Sequence, residues 1–320
     1  MRVLVTGAAG FLGYCIAEEL SSTSSNEVFC VDNFSRGEDD ALYQQLVAKP
    51  NVHHLAIDLN DVEAVATLPT DMSIIFHMAA LNGTQNFYER PFDVVRSCTL
   101  PTINLIEHFG RSGSKPRFVY AGTSEAYAAT VSRFNWPIPT SEDVPLCIDD
   151  ISNPRWSYAA SKLHGEIATA NGCRHFGFPY TIVRFHNAYG PRMGDKHVIP
   201  DFLTRAKDGV FELYGHADTR SFIFGSDAAK ATIAIALHNE AVDQVFNIGG
   251  DVELTMKELA HKIMEVCGFS GELVLHDSPK GSVARRRPDI GKVSSLIGEI
   301  NTVSLEDGIK STAEYYLSAR

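Results

Sequence analysis

Three glycines at three-residue intervals, between an apolar run and a helical pattern, constrain the fold of this chain more than any other feature. The run Arg2–Thr6 is typical of a β-strand and leads directly into Gly7, Gly10 and Gly13. Gly7 permits a tight turn, Gly10 lets the main chain approach a pyrophosphate, and Gly13 lets the next helix pack against the strand. Helix amides and the helix dipole favour an anion at this turn. This order predicts a dinucleotide-binding βα unit.

A second predicted strand, Glu27–Val31, ends in an acidic residue, Asp32. A carboxylate about 20 residues beyond the last glycine can accept hydrogen bonds from an adenosine ribose, and it repels a 2′-phosphate. NAD is therefore favoured over NADP. Arg36 is close enough to weaken that preference, and a solvated surface arginine is the alternative interpretation.

Further along the chain, short β-type runs alternate with helical ones, which predicts a parallel sheet with helices on both faces. Asp58 and the segment 78–80 fall at strand ends, at the carboxyl edge where ligands of open α/β sheets bind. Asp58 could instead cap the next helix. The predicted strands span residues 52–57, 73–78, 117–121, 180–185 and 244–248.

Composition and charge exclude several function classes. The 320 residues are 44% hydrophobic, which suffices for one large core or two domains. A net charge of −11 argues against a nucleic-acid surface. We expect no membrane span and no signal peptide, and therefore a cytoplasmic protein. The six cysteines lack zinc-type spacing, so we expect buried reduced thiols and no metal site.

Tyr158 and Lys162 lie four residues apart in a helical pattern, which places both side chains on one face. An ammonium near a phenol stabilises the phenolate, so Lys162 would bring the pKa of Tyr158 toward neutrality and make Tyr158 a base. The alternative is a pair of solvated neighbours. Thr123 and Glu125, after the 117–121 strand, would bring a hydroxyl and a carboxylate to the same edge, or would only form a capped turn.

Together these motifs resemble the extended short-chain dehydrogenase/reductases, and more narrowly the NAD-dependent epimerase/dehydratase family that acts on nucleotide-diphosphate sugars. The resemblance spans nearly the whole chain. It implies a Rossmann-type α/β fold, a doubly wound parallel sheet with a smaller C-terminal α/β substrate lobe. The residues that carry it are Thr6-Gly7-x-x-Gly10-x-x-Gly13, Asp32, Asp58, Thr123, Tyr158-x-x-x-Lys162 and Arg184-Phe185-His186-Asn187-Ala188-Tyr189-Gly190-Pro191.

The resemblance also implies roles for individual residues. Tyr158 is the expected base, Lys162 its partner on the nicotinamide ribose, Thr123 the contact to the reacting sugar hydroxyl, and Glu125 a second acid or base. The expected NAD-binding residues are Gly7, Gly10, Phe11, Leu12, Asp32, Asn33, Asp58, Leu59, Ala79, Ala80, Tyr158, Lys162 and Phe185. The expected substrate-binding residues are Thr123, Ser124, Asn187, Tyr214, Arg220 and Arg287.

Charge alone does not choose among the three consecutive arginines Arg285, Arg286 and Arg287, and family position favours Arg287. Guanidinium groups suit phosphate or carboxylate oxygens, although basic triplets are more often solvated. His186 could add a polar contact or could simply be packed.

The expected first step is oxidation of the sugar C4 hydroxyl to a ketone with NAD. Dehydration, decarboxylation, epimerisation or release of the ketone can follow. The Thr-Ser-Glu sequence at Glu125 resembles sugar 4,6-dehydratases and UDP-glucuronate decarboxylases. A C4 epimerase and a simple 4-dehydrogenase remain alternatives, and a small-ketone reductase and a catalytically silent NAD-binding regulator are rivals from other classes.

The predicted cofactor domain comprises residues 1–189 and 226–250, and the predicted substrate lobe comprises residues 190–225 and 251–320. Helices are expected from Glu253 and from Ser304. The resemblance implies a homodimer formed through a helix bundle. Two departures from the family pattern stand out, Cys98 at a position where relatives often carry Asn, and an added loop at residues 130–136.

Overall fold

The structure is a computed structural model that describes residues 1–278 and 284–318. Its strands are β1 Arg2–Thr6, β2 Glu27–Val31, β3 Val52–Leu55, β4 Ile74–His77, β5 Arg117–Thr123, β6 Tyr180–Phe185, β7 Ala188–Tyr189, β8 Val210–Tyr214, β9 Thr219–Ser221, β10 Ile223–Phe224, β11 Gln244–Ile248, β12 Glu253–Thr255, β13 Glu272–His276 and β14 Arg285–Arg286.

The helices flank these strands in an alternating order. They are α1 Phe11–Ser21, α2 Ala41–Val47, α3 Val62–Val65, α4 Thr84–Glu89, α5 Pro91–Arg111, α6 Ala128–Phe134, α7 Trp156–Phe176, α8 Val198–Lys207, α9 Gly225–Leu237, α10 Met256–Cys267, α11 Gly291–Ile297 and α12 Leu305–Ser318.

Seven parallel strands form the central sheet in the order β11-β6-β5-β4-β1-β2-β3. The chain winds outward from β1 in both directions, so the order reverses between β1 and β4. Ligands of doubly wound sheets bind at this switch point, outside the carboxyl ends of the strands. The predicted Rossmann-type α/β fold is confirmed.

Alternating side chains of β1 explain why helices cover both faces of the sheet. Val3 and Val5 belong to the core on one face, and Leu4 belongs to the core on the other. All three are fully buried, which is the pattern expected of a central parallel strand. These two cores hold the carboxyl edge of the sheet rigid.

A third core, formed largely by α8, α10 and α12, defines the smaller lobe. Ile199, Leu203, Leu259 and Ile309 are fully buried there, and Phe11 of α1 packs against the same cluster. Three small sheets accompany it, with the orders β10-β7, β12-β9-β14 and β13-β8. The smaller lobe therefore packs directly against α1, the helix that follows the glycine turn.

The domain boundaries expected from the sequence stay a proposal, with one refinement at α11. Val293 and Ile300 join the core that contains Val3 and Val5, so this part of the 251–320 segment packs with the cofactor domain. Residues 279–283 and 319–320, which the proposal assigns to the substrate lobe, lie outside the described residues.

Two local expectations were wrong. Glu253 begins strand β12, not a helix, because Thr255 caps α10 by accepting a hydrogen bond from the Glu258 amide while the Glu258 carboxylate accepts from the Thr255 amide. The expected loop at 130–136 is largely helix α6, which ends at Asn135 in the left-handed conformation.

The six cysteines form no disulfides. Cys30, Cys98 and Cys173 are buried as expected, whereas the expectation of burial was wrong for Cys15, Cys147 and Cys267, which are partly exposed. Within the described ranges, none of the helices has both the length and the apolar character that crossing a membrane requires.

Candidate active site

A cavity of about 540 Å³ lies along the carboxyl edge of the central sheet, at the switch point between β1 and β4. The residues that the sequence assigned to cofactor binding all line it. Four further residues, which the sequence assigned to catalysis or substrate binding but not to the cofactor, also line it. These lining residues are Gly7, Gly10, Phe11, Leu12, Asp32, Asn33, Asp58, Leu59, Ala79, Ala80, Tyr158, Lys162 and Phe185, together with Thr123, Ser124, Glu125 and Asn187.

The glycine turn is tight enough to exclude side chains. Gly7 has a φ of +67°, and its amide donates to the Val31 carbonyl at 2.8 Å. A Cβ on Gly13 would lie 2.0 Å from the Gly7 carbonyl oxygen. Main-chain amides and the N-terminus of α1 therefore face the cavity without obstruction, as a pyrophosphate requires.

Asp32 is held in place by the turn that it faces. Its carboxylate accepts hydrogen bonds from the Ala9 amide at 2.9 Å and the Phe34 amide at 2.8 Å. The side chain is buried and lines the cavity, where spare lone pairs of its oxygens suit ribose hydroxyls. These acceptor oxygens fit the ribose hydroxyls of an NAD adenosine, and the negative charge disfavours a 2′-phosphate.

Asp58 lines the cavity and forms a local turn, accepting hydrogen bonds from the Asn60 amide and side chain at 2.9 and 2.8 Å. The helix-capping alternative for Asp58 was wrong, because Asp61 caps α3. Ala79 is fixed by a hydrogen bond from its amide to the Thr6 hydroxyl.

Tyr158 and Lys162 share one buried face of α7, with exposures of 7% and 2%. Lys162 Nζ donates to the Ala121 carbonyl at 2.8 Å and lies 5.9 Å from the centroid of the Tyr158 ring. Phe87 stacks on that ring at 5.1 Å, with an interplanar angle of 14°. The pair is therefore locked by packing on one side and by strand β5 on the other.

The protein by itself does not hold Tyr158 as a phenolate. Burial raises the pKa of Tyr158 above its ordinary value, and Cys98 and Glu125 raise it further. The positive charge of Arg36 and a hydrogen bond with Thr123 lower the pKa of Tyr158 in opposition. The same burial lowers the pKa of Lys162. Burial thus outweighs the lowering that the Tyr-Lys spacing predicts.

Glu125 lies at the cavity wall between two arginines. Arg286 Nη1 donates to Glu125 Oε1 at 2.7 Å, and Arg155 Nη2 lies 3.7 Å from Oε2. Burial alone would raise the pKa of Glu125, but Arg286, Arg155 and Arg220 hold the pKa below its usual value. Glu125 is therefore ionised. Thr123 lies beside it and accepts a hydrogen bond from the Glu125 amide.

Strand register settles the geometry of the arginine triplet. Arg286 lines the cavity, whereas Arg285 pairs with Glu253 outside it. Arg287, which family position favoured, lies outside the cavity lining, and its buried Nε has no hydrogen-bond partner among the described residues. Successive side chains of an extended segment point in opposite directions, so only the central arginine of the triplet faces Glu125.

Two other expected substrate residues lie outside the cavity lining of the described chain. Tyr214 is 50% exposed and stacks on His276 at 4.5 Å. Arg220 donates to the Thr219 carbonyl at 2.7 Å and pairs with Arg286 in the register of β9 and β14. Burial and the charge of Arg286 lower the pKa of Arg220 to about 10.

His186 is a packed residue, as the second of its two interpretations held. Its ring is buried, stacks on Tyr127 and lies 3.1 Å from the Asn247 side-chain oxygen through Nε2. Burial lowers the pKa of His186 to about 3. Asn187, the next residue, lines the cavity and donates to the Ser221 carbonyl at 2.9 Å.

Sequence reasoning did not assign several lining residues to the site. Arg36 reaches the cavity, and the enclosing walls lower its pKa, while Tyr158, Cys98 and Asp32 oppose that shift. Asn82, Thr84 and Phe87 line it from the start of α4. The signal for Arg36 was its distance of four residues from Asp32. No motif spacing predicts Asn82, Thr84 and Phe87, because an irregular segment separates them from the end of β4.

Comparison with known proteins places this geometry in a family. The sequence model of the NAD dependent epimerase/dehydratase family matches residues 3–249. The chain is 31% identical over 326 residues to a UDP-N-acetyl-alpha-D-glucosaminuronate decarboxylase of Bacillus cytotoxicus, covering 98% of this chain and 97% of that protein. It is 29% identical over 323 residues to UDP-glucuronic acid decarboxylase 1 of Xenopus tropicalis, covering 98% of this chain and 72% of the relative.

A solved dTDP-glucose 4,6-dehydratase from Streptomyces venezuelae, with NAD bound, superposes on this chain with a TM-score of 0.87 at 26% identity. The match covers 100% of this chain and 98% of that one. The expectation of NAD as cofactor is confirmed by this family. The glycine turn, Asp32 and the cavity at the switch point are the parts of this chain that fit it. The chain belongs to the NAD-dependent epimerase/dehydratase family of enzymes.

Proposed function

We propose that this enzyme decarboxylates a nucleotide-diphosphate uronic acid after oxidising its C4 hydroxyl. The observation that carries the proposal is the ionised Glu125 at the wall of the cavity, which Arg286 contacts at 2.7 Å, with Arg155 3.7 Å away and Arg220 close enough to lower the pKa of Glu125. Asp218 is a second carboxylate near Arg220, so three guanidiniums stand against two carboxylates and leave a local excess of positive charge. An anionic sugar linked to a diphosphate complements that excess.

The oxidation step uses Tyr158, Thr123 and Lys162. Tyr158 removes the C4 hydroxyl proton, and the Thr123 hydroxyl, next to Tyr158, orients the alcohol. Bound NAD would supply the hydride acceptor for C4 and, after carbon dioxide has left, the hydride donor that reduces the C4 ketone, and Tyr158 then gives its proton back to the C4 oxygen. Lys162 is anchored by the Ala121 carbonyl on the same helix face as Tyr158, where it holds the ribose side of the site.

The second step follows from the chemistry of the ketone. With a ketone at C4 and a carboxylate at C6, the sugar is a β-keto acid. The C5–C6 bond breaks, its electron pair moves through C5 onto the C4 carbonyl oxygen, and carbon dioxide leaves. A solvent proton then adds to C5. Arg286, held by Glu125 at 2.7 Å, is the group that orients the carboxylate before this bond breaks.

The relatives support this reading of the reaction. The Bacillus cytotoxicus and Xenopus tropicalis proteins are both named as decarboxylases of nucleotide-linked uronic acids. The solved dehydratase is named for a neutral sugar. The excess of arginine around Glu125 favours the acidic substrate class.

A substrate panel tests the proposal directly. The enzyme, loaded with NAD, is incubated with UDP-glucuronate, UDP-N-acetylglucosaminuronate, UDP-glucose and dTDP-glucose, and the products are identified by mass. We expect loss of carbon dioxide from a uronate. Loss of water from a neutral sugar, or an epimer of unchanged mass from every substrate, would contradict the proposal.

A matched pair of arginine variants tests the role of the charge. Arg286→Met should lower kcat/KM for the uronate by about 100-fold, since charge-assisted contacts to a carboxylate are worth several kcal/mol. Arg285→Met changes a neighbour that pairs with Glu253 outside the cavity, and should stay within about 3-fold of wild type. Equal effects of both substitutions would remove Arg286 from substrate binding.

We also propose a homodimer formed through α5 and α7. These helices pack against each other and expose apolar side chains, Phe92, Val95 and Leu100 on α5 and Ile167 on α7. Two such helix pairs from two copies would form a four-helix bundle that covers this apolar surface. A cytoplasmic location is proposed as well, because six free cysteines suit a reducing compartment.

A further inference from the structure

A buried asparagine, Asn247, does not line the cavity but is hydrogen-bonded to the segment that follows Arg286. Asn247, on β11, is fully buried and uses its whole side chain in hydrogen bonds. Its Nδ2 donates to the Thr140 carbonyl and to the Asp289 carbonyl, each at 3.1 Å. These two acceptors belong to separate segments of the chain, and Asn247 joins both to the central sheet.

The two segments are also bonded to each other. The Thr140 amide donates to the Arg287 carbonyl at 3.0 Å, and the Asp289 amide donates to the Thr140 carbonyl at 2.8 Å. Thr140 and Pro288 form an isolated parallel bridge. Residues 287–289, which follow Arg286, are therefore hydrogen-bonded both to Thr140 and to Asn247 of the central sheet. We call Asn247, Thr140 and Asp289 the Asn247 clamp.

Hydrogen bonds at Oδ1 hold the Asn247 amide in one orientation. Its Oδ1 accepts from the Tyr127 hydroxyl at 2.8 Å and lies 3.1 Å from His186 Nε2. Tyr127 in turn accepts from Arg184, which forms a buried two-point ion pair with Glu166. Because this network fixes the position of Oδ1, the Nδ2 group of Asn247 points toward the carbonyls of Thr140 and Asp289.

On its other side Arg286 is attached to the smaller lobe. Its strand, β14, pairs in parallel with β9, where Arg286 lies opposite Arg220. The guanidinium of Arg286 crosses from there to Glu125, which follows β5 of the cofactor domain. Arg286 therefore connects a strand of the smaller lobe to Glu125, and the segment bound by the Asn247 clamp follows directly after it.

We propose that Asn247 is a positioning residue for sugar-nucleotide binding, acting through Arg286 by fixing residues 287–289 to the central sheet. The role deepens the function proposed above and rests on it for the identity of the ligand. Asn247 contacts neither cofactor nor substrate in this scheme. Its loss should therefore weaken binding of the uronate and leave NAD binding intact.

Asn247→Asp removes the two donors while keeping the size of the side chain and its acceptor oxygens. Asn26→Asp is the matched control, because Asn26 is also a buried asparagine whose Nδ2 donates to a carbonyl, that of Leu20 at 3.0 Å, far from the cavity. Asn247→Ser provides a second route if the buried carboxylate prevents folding. Each variant is first compared with wild type by thermal unfolding.

The first measurement is a double-mutant cycle on UDP-glucuronate affinity, with titration calorimetry of the NAD-loaded protein; every variant in the cycle also carries Tyr158→Phe, which slows turnover so that the ligand is not consumed. Asn247→Asp should weaken binding about 10-fold when Arg286 is present and less than about 2-fold when it is replaced by Ala, since its effect passes through Arg286. NAD affinity should stay within about 2-fold. An equal loss in both backgrounds, or a parallel loss of NAD affinity, would overturn the proposal.

The second measurement needs no substrate, so it separates this inference from the proposed function. Trypsin cleavage after Arg286 is followed by mass spectrometry and compared with cleavage elsewhere in the chain. Asn247→Asp or Asn247→Ser should raise the relative rate after Arg286 about 10-fold, because the segment opens more often. An unchanged rate overturns the clamp, whereas failure of wild type to bind any uronate while the rate rises overturns only the proposed function.

Discussion

At the scale of single residues, the protonation of Tyr158 depends on opposing neighbours. Burial and the Cys98 thiol raise the pKa of Tyr158, and Arg36 lowers it. The phenolate is the active form of a base, so kcat/KM rises with pH throughout the range below the pKa of Tyr158, and any group that lowers this pKa raises activity at a given pH. Arg36 extends the active range toward neutrality. Arg36, which lines the cavity, therefore affects the protonation of the expected base.

Removal of the Arg36 charge should shift the pH dependence. In Arg36→Met the pKa of Tyr158 rises further, so the rise of kcat/KM moves to higher pH and activity at pH 7 falls about 10-fold. Arg205→Met, on the exposed surface of α8, is the control and should leave the profile unchanged. A profile of Arg36→Met that superposes on wild type would show that this charge does not act on Tyr158.

Glu125 separates the two halves of the proposed reaction. Glu125→Gln keeps the size of the side chain but removes the ion pair with Arg286. NAD reduction at C4 should be spared, whereas the later step should slow about 100-fold, since Arg286 loses its partner. Absorbance of reduced NAD in single turnovers measures the first step, and product mass measures the second. Equal loss of both would remove Glu125 from the later step.

At the scale of elements, the strand–glycine turn–helix unit could be read from the sequence because its determinants are local. The bounds of β1, β2, β6 and β11 agree with the predicted runs, and the turn has the positive φ at Gly7 that the motif requires. Local signals also failed where pairing is non-local. Glu253 joins a strand because β9 lies beside it, and no pattern within residues 253–259 shows that partner.

The close packing of α1 on the turn gives an element-scale prediction. Gly13→Ala places a Cβ 2.0 Å from the Gly7 carbonyl oxygen, so α1 must shift away from the turn. We expect NAD affinity to fall at least about 10-fold with a lowered melting temperature, because overpacking costs about 1–3 kcal/mol. Calorimetric titration with NAD measures the first effect. Wild-type affinity in Gly13→Ala would contradict the account of the turn.

The arginine triplet shows why part of the site could not be predicted. Its three members are chemically equivalent in the sequence, and the choice among them depends on the register of β14 on β9 and on the clamp at Thr140. Both are long-range contacts. The residues near Asp32 and Tyr158 could be found because motif spacing fixes them, whereas Arg286 could be placed only by the fold.

At the scale of the whole molecule, residues far apart in the chain, such as Asp32 and Arg286, line the same cavity, and α5 and α7 carry exposed apolar side chains. Charge among these apolar side chains should split the proposed dimer. Ile167→Glu should be monomeric by light scattering after gel filtration, because the bundle would bury an unpaired carboxylate. Val62→Glu changes a side chain of matched exposure, 64% against 63%, on α3 and should stay dimeric. A monomeric wild type would refute the dimer.

The central claim is that the Tyr158 oxygen takes the C4 proton while NAD accepts the hydride. Tyr158→Phe keeps the buried ring and its stacking on Phe87 and removes only that oxygen. With UDP-glucuronate as substrate, carbon dioxide release and NAD reduction are measured together with NAD affinity. We expect turnover to fall about 1,000-fold, whereas NAD affinity should fall by less than about 10-fold because only one hydroxyl contact is lost. Turnover in Tyr158→Phe equal to that of wild type would contradict the central claim.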